Sequence, residues 1–212
     1  MAQYQAYLFD FDGTIADTSR GIKNAIRYAA AQRNFPEKTD GELDYFIGPP
    51  LYDAFAHVYG TEDPLTSEMV DLYRVYYSDR GVFESDLYPG ILSMLTRLKG
   101  DGAVLAITSS KPQHYLDILM EHLHVGPLFD AVIGPPMNNR LSDKSILIAR
   151  ACETLGLPQD KSICIVGDRH YDVAGGVKAG ITAIGAAWGF GTTDELMHAG
   201  ADFVITAPEE LL

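Results

Sequence analysis

The stretch YLFDFDGT, at residues 7–14, joins an apolar segment to a pair of carboxylates. The apolar residues are typical of a buried strand, and Asp10 and Asp12 stand at its end. Side chains alternate faces along a strand, so both carboxylates point the same way, and Gly13 allows the chain to turn. Two like charges this close favour a cation between them. The stretch therefore predicts a divalent metal site with one carboxylate free to react, although an aspartate that merely begins a turn is the plainer alternative.

Composition narrows the class of protein. The 212 residues fit one large domain, or one domain with a modest insert. A formal net charge of −13 argues against a nucleic-acid partner or an anionic membrane surface. Apolar runs stay well short of the ~20 residues that span a bilayer, and the N-terminal apolar stretch is too short for a signal peptide. We expect a cytoplasmic protein in which Cys152 and Cys164 are buried thiols and form no disulfide.

The chain divides into two parts with different patterns of predicted secondary structure. Residues 17–85 show helical patterns only, whereas helices and strands alternate from residue 88 onward. Such alternation predicts an α/β fold with a Rossmann-like parallel sheet. We predict a core domain at residues 1–16 and 86–212, with an all-helical domain inserted at 17–85. In parallel sheets, ligands bind beyond the carboxyl ends of the strands; after the first strand, those predicted are 104–108, 129–133, 162–166, 182–186 and 203–205.

Polar residues follow the predicted strand at 104–108. Its end is marked by Thr108, Ser109 and Ser110, which precede Lys111 and Pro112. Proline suits the first position of a helix, and hydroxyls with free backbone N–H groups at a helix start can bind an anion. Ordinary helix capping uses the same residue types, so this segment alone leaves both interpretations open.

Three charged residues further along the chain suggest related chemistry. Lys144 stands at the start of a predicted helix, where an ammonium opposes the helix dipole unless it neutralises another group, such as phosphate. A solvated surface lysine is the alternative. Asp168 and Asp172 follow the strand at 162–166, and their spacing would place them on one face of a helix that begins there. Such carboxylates suit Mg²⁺, although a capping aspartate in a loop is an equally open interpretation.

These segments, taken together and in order, resemble the haloacid dehalogenase superfamily. The resemblance covers nearly the whole chain and is greatest to the phosphatases of the superfamily, in particular the phosphoglycolate phosphatases. The stretches IGPPL at 47–51 and WGFG at 188–191 support it. The main matching motifs are DFDGT at 10–14, the hydroxyl-Lys-Pro segment at 108–112, Lys144, and GDRHYD at 167–172.

The resemblance implies catalytic roles for the motif residues. Asp10 would be the nucleophile that takes the phosphoryl group. Asp12 would be the general acid that protonates the leaving oxygen and then the base that activates water. Lys144 would neutralise the nucleophile and the phosphate. The phosphate-binding hydroxyl would belong to Ser109 or to Thr108, one residue earlier.

The resemblance also implies a magnesium cofactor and a cap. Mg²⁺ would be held by Asp10, the carbonyl of Asp12 and Asp168, with Asp172 in a supporting position. Residues 17–85 would form a helical cap that closes over the substrate and chooses it. The predicted substrate-binding residues lie in the motifs, in the contact loop of the cap and among its cations, and they are Gly13, Thr14, Ser110, Gly48, Arg20, Lys23 and Arg80.

The expected function is Mg²⁺-dependent hydrolysis of a small phosphorylated metabolite through an aspartyl-phosphate, as in phosphoglycolate phosphatases. Asp12 argues against haloacid dehalogenation, because halide leaves without a proton. A nucleotidase, a pyrophosphatase or a sugar-phosphate mutase on the same scaffold are the alternative enzymes. A phosphate- or metal-binding protein without turnover is the non-enzymatic alternative. The substrate and the oligomeric state remain open.

Overall fold

A computed structural model describes residues 3–137 and 143–212. The strands are β1 (Ala6–Phe9), β2 (Ala16–Asp17), β3 (Asp86–Leu87), β4 (Val104–Thr108), β5 (Ala131–Ile133), β6 (Ile163–Gly167), β7 (Thr182–Ala186) and β8 (Phe203–Ile205). The α-helices are α1 (Ser19–Gln32), α2 (Asp40–Leu43), α3 (Leu51–Tyr59), α4 (Leu65–Asp79), α5 (Ile91–Gly100), α6 (Gln113–His122), α7 (Lys144–Leu155), α8 (His170–Ala179) and α9 (Thr193–His198). Short 3₁₀ helices lie at Asp44–Phe46, Gly81–Phe83, Gly126–Leu128 and Pro208–Leu211.

The main sheet has six strands in the order β5-β4-β1-β6-β7-β8, and every neighbouring pair is parallel. β1 lies between β4 and β6, and from there the chain builds the sheet outward in both directions. Strand order therefore reverses at β1, and the crevice beyond its carboxyl end is the position where such sheets bind ligands. The predicted α/β fold with a parallel sheet is confirmed.

Helices cover both faces of this sheet, and the alternation of side chains along β1 shows why. Tyr7 and Phe9 are buried in one apolar cluster, which includes residues of α5 and α6. Ala6 and Leu8 are buried in a second cluster, which includes residues of α7 and α8. Since β1 is buried on both faces, its apolar character is continuous rather than alternating, and Asp10 is the first residue past it that can carry charge.

The residues between β2 and β3, which we call the helical insert (residues 18–85), contain α1 to α4. Within it, α1 packs mainly on α4. β2 and β3 pair antiparallel, with Ala16 opposite Leu87 and Asp17 opposite Asp86. The chain thus leaves and re-enters the core through two adjacent strands, a pairing that the sequence did not reveal because each strand has only two residues.

The strands predicted after the first are present within two residues of their predicted ends. The helix after β6 is different in a way that affects the site. It begins at His170, so Asp168 precedes the helix while Asp172 lies in its first turn, and the two do not share one helical face. Among the described residues, none of the helices is long and apolar enough to cross a membrane.

Candidate active site

Several residues predicted for the site lie together at the edge of the sheet where the three central strands, β4, β1 and β6, have their carboxyl ends. Asp10 follows β1 directly and continues the sheet ladder, since its backbone N–H donates to the carbonyl of Val166 over 2.9 Å. Ser109 follows β4, and Asp168 follows β6. Together with the helical insert, this edge encloses a cavity whose wall includes Asp10 and Asp12.

Lys144 is the central cation of the site. It is 2% exposed, and its Nζ lies 2.9 Å from Asp10 Oδ1 and 2.7 Å from Asp172 Oδ1. It also donates a hydrogen bond to the carbonyl of Thr108 over 2.8 Å. Burial alone would lower the pKa of Lys144, but the charges of Asp10 and Asp172 outweigh it and raise the pKa. The surface-lysine alternative is therefore excluded for Lys144.

Asp168 is fully buried and is not among the described residues that line the cavity. Its Oδ1 accepts a hydrogen bond from Thr14, and its Oδ2 accepts one from the backbone N–H of Phe190. Gly13 passes so close that a Cβ built on it would lie 2.1 Å from Asp168 Oδ2, and its φ of +80° also favours glycine. Gly13 and Thr14 thus shape the surroundings of Asp168.

The carboxylates fit a hard divalent cation. Ligand oxygens of Asp10, Asp168 and Asp172 all lie within 4.8 Å of one another, and all three residues are buried. Burial, followed by the charges of Asp172 and Asp10, raises the pKa of Asp168 well above its usual value. Burial and Asp10 also raise the pKa of Asp172, to about 6, against the opposing effect of Lys144. A cation among these oxygens would favour their charged forms, and oxygen ligands are those that Mg²⁺ prefers.

Asp12 lies on the cavity wall, beside but separate from this cluster. Thr18 donates a hydrogen bond to Asp12 Oδ1 over 2.6 Å. Lys111 Nζ donates to Asp12 Oδ1 and Oδ2 over 2.9 and 3.0 Å. Sequence reasoning assigned Lys111 no role of its own, because nothing in its local pattern shows that it reaches a residue 99 positions away.

The loop after β4 distinguishes the two hydroxyl candidates. Ser109 and Ser110 line the cavity, and the Ser109 hydroxyl accepts a hydrogen bond from the backbone N–H of Lys111. Thr108 is the last residue of β4; its hydroxyl is fully buried and has no hydrogen-bond partner among the described residues. Of the two candidates, Ser109 is therefore the one among the described residues that line the cavity.

The helical insert meets the core at the loop around Gly48, which lines the cavity. Arg169 Nη1 donates to the carbonyl of Ile47 over 2.7 Å. Glu195 Oε1 accepts a hydrogen bond from Arg169 Nε over 3.1 Å. It also accepts hydrogen bonds from the backbone N–H and the ring Nδ1 of His170. Arg169 and His170 of the GDRHYD motif, together with Glu195, thus form a bridge from the core to the insert, which we call the Glu195 bridge.

The cations proposed for substrate binding point elsewhere. Arg20 lies 3.8 Å from Asp86, Lys23 lies 2.6 Å from Asp44, and Arg80 pairs with the neighbouring Asp79. Arg20 and Arg80 are largely exposed. The described residues that line the cavity do not include these three, but they do include Arg74 and Lys111. The aromatic side chains on the wall are Phe46, Tyr52, Tyr73, Tyr77, Tyr115 and Tyr171.

The Glu195 bridge leads to a prediction about stability. Burial would raise the pKa of Glu195, but its bonds to His170 and Arg169 outweigh burial and lower the pKa from 4.5 to about 2. A carboxylate with a depressed pKa stabilises the fold above its unfolded pKa, and this contribution is lost as the pH falls through the folded pKa. We therefore expect Glu195→Gln to lower the urea midpoint at neutral pH, and the loss to shrink between about pH 4.5 and pH 2.

The matched control for that experiment is Glu153→Gln, since Glu153 is an exposed residue of α7. Urea midpoints of both variants and the wild type, measured from pH 7 down to pH 3, provide the comparison. A Glu195→Gln loss that stayed constant over this range would contradict the assigned bridge.

Comparison with known proteins places the chain in a family. A family model described as haloacid dehalogenase-like hydrolase matches residues 7–186. The chain belongs to this family. The match to the haloacid dehalogenase-like hydrolases includes β1 from Tyr7 onward, the insert and the strands up to β7. It therefore includes every residue of the site described above except Glu195 and Phe190.

Relatives of this haloacid dehalogenase-like hydrolase include proteins named as a 5′-nucleotidase and as phosphatases. The chain is 32% identical over 194 residues to a 5′-nucleotidase of Pseudomonas aeruginosa, covering 92% of this chain and 87% of the relative. It is 26% identical over 205 residues to a phosphoglycolate phosphatase of Aquifex aeolicus, covering 97% and 93%. The crystal structure of a predicted phosphatase from Clostridium acetobutylicum has a TM-score of 0.92 at 33% identity and covers 99% of this chain and 97% of that one. The sequence-based assignment to the phosphatases of this superfamily is confirmed.

Proposed function

We propose that the protein is a Mg²⁺-dependent phosphate-monoester hydrolase that acts through an aspartyl-phosphate on Asp10. One observation carries the proposal: Asp10 faces a cavity at the switch point of the sheet, with the Lys144 ammonium 2.9 Å from its Oδ1. A buried cation at that distance stabilises the carboxylate and the charge that gathers on a phosphoryl group during transfer.

The first step is transfer of the phosphoryl group to the enzyme. A carboxylate oxygen of Asp10 attacks phosphorus, the bond from phosphorus to the ester oxygen breaks, and the ester oxygen takes a proton from Asp12. Ser109 and backbone N–H groups of the loop after β4 would bind the phosphoryl oxygens. The product alcohol leaves, and Asp10 carries the phosphoryl group as a mixed anhydride.

The second step returns Asp10 to its starting form. Asp12, now deprotonated, takes a proton from a water molecule, and the resulting nucleophile attacks phosphorus. The bond between phosphorus and the Asp10 oxygen breaks, which releases inorganic phosphate. Splitting hydrolysis in this way replaces one difficult displacement by two easier ones.

The proposed metal ligands are Asp10, the Asp12 carbonyl and Asp168, with Asp172 supporting Lys144 and the cluster. Bound Mg²⁺ would supply positive charge to the phosphoryl oxygens. The carboxylate cluster within 4.8 Å supports this assignment, and Thr14 would orient Asp168 through its 3.3 Å hydrogen bond.

We propose that the helical insert acts as the predicted cap, since its residues form much of the cavity wall. The substrate is a small phosphorylated metabolite, with phosphoglycolate as the first candidate. Nucleoside 5′-monophosphates are the second, because the wall is rich in aromatic side chains on which a base could pack.

Phosphate release from phosphoglycolate, 5′-AMP, pyrophosphate and glucose 6-phosphate decides between these substrate candidates. If the protein with Mg²⁺ releases phosphate from none of these four compounds and not from p-nitrophenyl phosphate, the proposal that it is a hydrolase is refuted.

Asp12→Asn tests the proposed acid and base. We expect turnover of alkyl phosphates to fall by roughly 10²–10⁴-fold, the usual contribution of proton transfer. The loss should be smaller for p-nitrophenyl phosphate, because a nitrophenolate leaves without a proton. Steady-state rates on both ester types provide the measurement, and equal losses would show that Asp12 serves another purpose.

A further inference from the structure

Lys111 has no part in the chemistry proposed so far, yet its ammonium group is nearly buried and is paired with Asp12. Its side chain is only 5% exposed. Its Nζ lies 2.9 and 3.0 Å from the two carboxylate oxygens of Asp12. A buried lysine loses hydration, so a partner must compensate, and Asp12 provides that compensation.

The contacts of Asp12 leave its carboxylate little freedom. Oδ1 accepts hydrogen bonds from both Thr18 and Lys111, and Oδ2 accepts one from Lys111. Rotation about the bond to the carboxyl carbon would break at least one of these contacts. Because proton transfer needs heavy atoms about 2.6–3.2 Å apart, a carboxylate held in one orientation is better prepared for it than one that rotates.

The helical insert in turn holds Lys111. The Lys111 Nζ lies 4.9 Å from the centre of the Tyr77 ring, which belongs to α4 and is a favourable cation–π distance. Tyr77 is 1% exposed and is packed against Tyr73 and Tyr115, with ring centres 5.2 and 4.9 Å away. Its hydroxyl has no hydrogen-bond partner among the described residues. The ring of Tyr77, not its hydroxyl, is therefore what Lys111 contacts.

We propose that Lys111 is a positioning residue, which orients the Asp12 carboxylate for proton transfer, and that the Tyr77 ring keeps Lys111 in place. This inference rests on the proposed role of Asp12. It connects the insert to the reacting groups, because a residue of α4 contacts the cation that holds the acid and base. In this proposal Lys144, which is paired with Asp10, is the lysine that stabilises the charge on the substrate's phosphoryl group.

A double-mutant cycle tests the proposal, with Lys111→Met, Asp12→Asn and the double variant. Phenyl phosphate is the substrate. The acidity of its leaving group, phenol, lies between those of an alkyl alcohol and a nitrophenol, so that the rates of the slow variants can still be measured. We expect Lys111→Met alone to lower kcat by about 10–100-fold, a part of what proton transfer contributes, with KM changed by less than about twofold. In the Asp12→Asn background, Lys111→Met should cause no further loss.

Three outcomes would overturn the proposal. A full Lys111→Met loss that persists in the Asp12→Asn background would show that Lys111 acts independently of Asp12. A raised KM with unchanged kcat would show that it binds substrate. Unchanged kinetics would show that it has no role in the reaction. If Asp12→Asn itself slows alkyl and nitrophenyl esters equally, the proposed role of Asp12 fails, and that result is distinct from a failed cycle.

Matched variants separate positioning from general damage. Lys99→Met removes another lysine that pairs with an aspartate, Asp130, at 2.6 Å, and should leave kcat and KM unchanged. Tyr77→Phe keeps the ring and should lower kcat less than Tyr77→Leu does, and the loss caused by Tyr77→Leu should be absent in the Lys111→Met background. A Tyr77→Phe variant as slow as Tyr77→Leu would contradict the assigned ring contact, and thermal unfolding confirms that each variant is folded.

Discussion

Replacing Asp10 with asparagine is expected to reduce turnover by on the order of 10⁴-fold or more, as loss of a catalytic nucleophile does in other enzymes. A carboxamide has the shape of the carboxylate but is a far weaker nucleophile, so no aspartyl-phosphate forms. Because Asp10 lies past the buried strand rather than in either apolar cluster, the fold should persist. Phosphate release and thermal unfolding, measured on the same preparation, check both parts.

The control for this variant is Asp79→Asn, which removes an exposed carboxylate of the helical insert and should keep wild-type turnover. Trapping the wild type with beryllium fluoride gives a second, independent test, since this reagent mimics a phosphoryl group on a carboxylate. The adduct should lie on Asp10 and be absent in Asp10→Asn. An adduct on Asp12 or on a serine would reverse the assigned roles.

The parts of the site that the sequence predicted are those fixed by a strand end. Asp10, Ser109 and Asp168 each follow an apolar strand directly, and parallel strands bring their carboxyl ends to one edge. Local pattern and topology therefore place these side chains together without any knowledge of packing. The order of the strands, with β1 between β4 and β6, is what the sequence pattern left open.

The parts that it did not predict depend on contacts between distant segments. The pairing of Lys111 with Asp12 needs β4 beside β1, and the contact of Arg169 with the Ile47 carbonyl needs the insert folded against the core. Charge alone was a poor guide within the insert. Arg20 and Lys23 are cations on a predicted helix, yet each pairs with an aspartate from another segment, and sequence carries no local signal of such pairs.

Removing divalent metal with excess chelator is expected to abolish turnover, and adding Mg²⁺ should restore it. Asp10, Asp168 and Asp172 crowd three carboxylates within 4.8 Å, and Lys144 contacts only Asp10 and Asp172 among them. Asp168 therefore has the greatest need of a cation. The raised pKa of Asp168, caused by burial and by its two neighbours, is consistent with this need, because its charged form is disfavoured without a cation.

A readout that does not depend on activity makes this prediction sharper. A ligand that binds only the folded state at 100 times its Kd stabilises it by about 2.7 kcal/mol, so Mg²⁺ should raise the thermal midpoint of the wild type. Asp168→Asn should remove most of that increase as well as the activity, whereas Asp194→Asn, at an exposed position in α9, should keep both. Full activity in chelator would refute the metal-dependent mechanism. An equal Mg²⁺-dependent rise of the thermal midpoint in Asp168→Asn would show that the ion binds elsewhere. Asp168, the member of the cluster that Lys144 does not contact, would then not be a ligand of the ion.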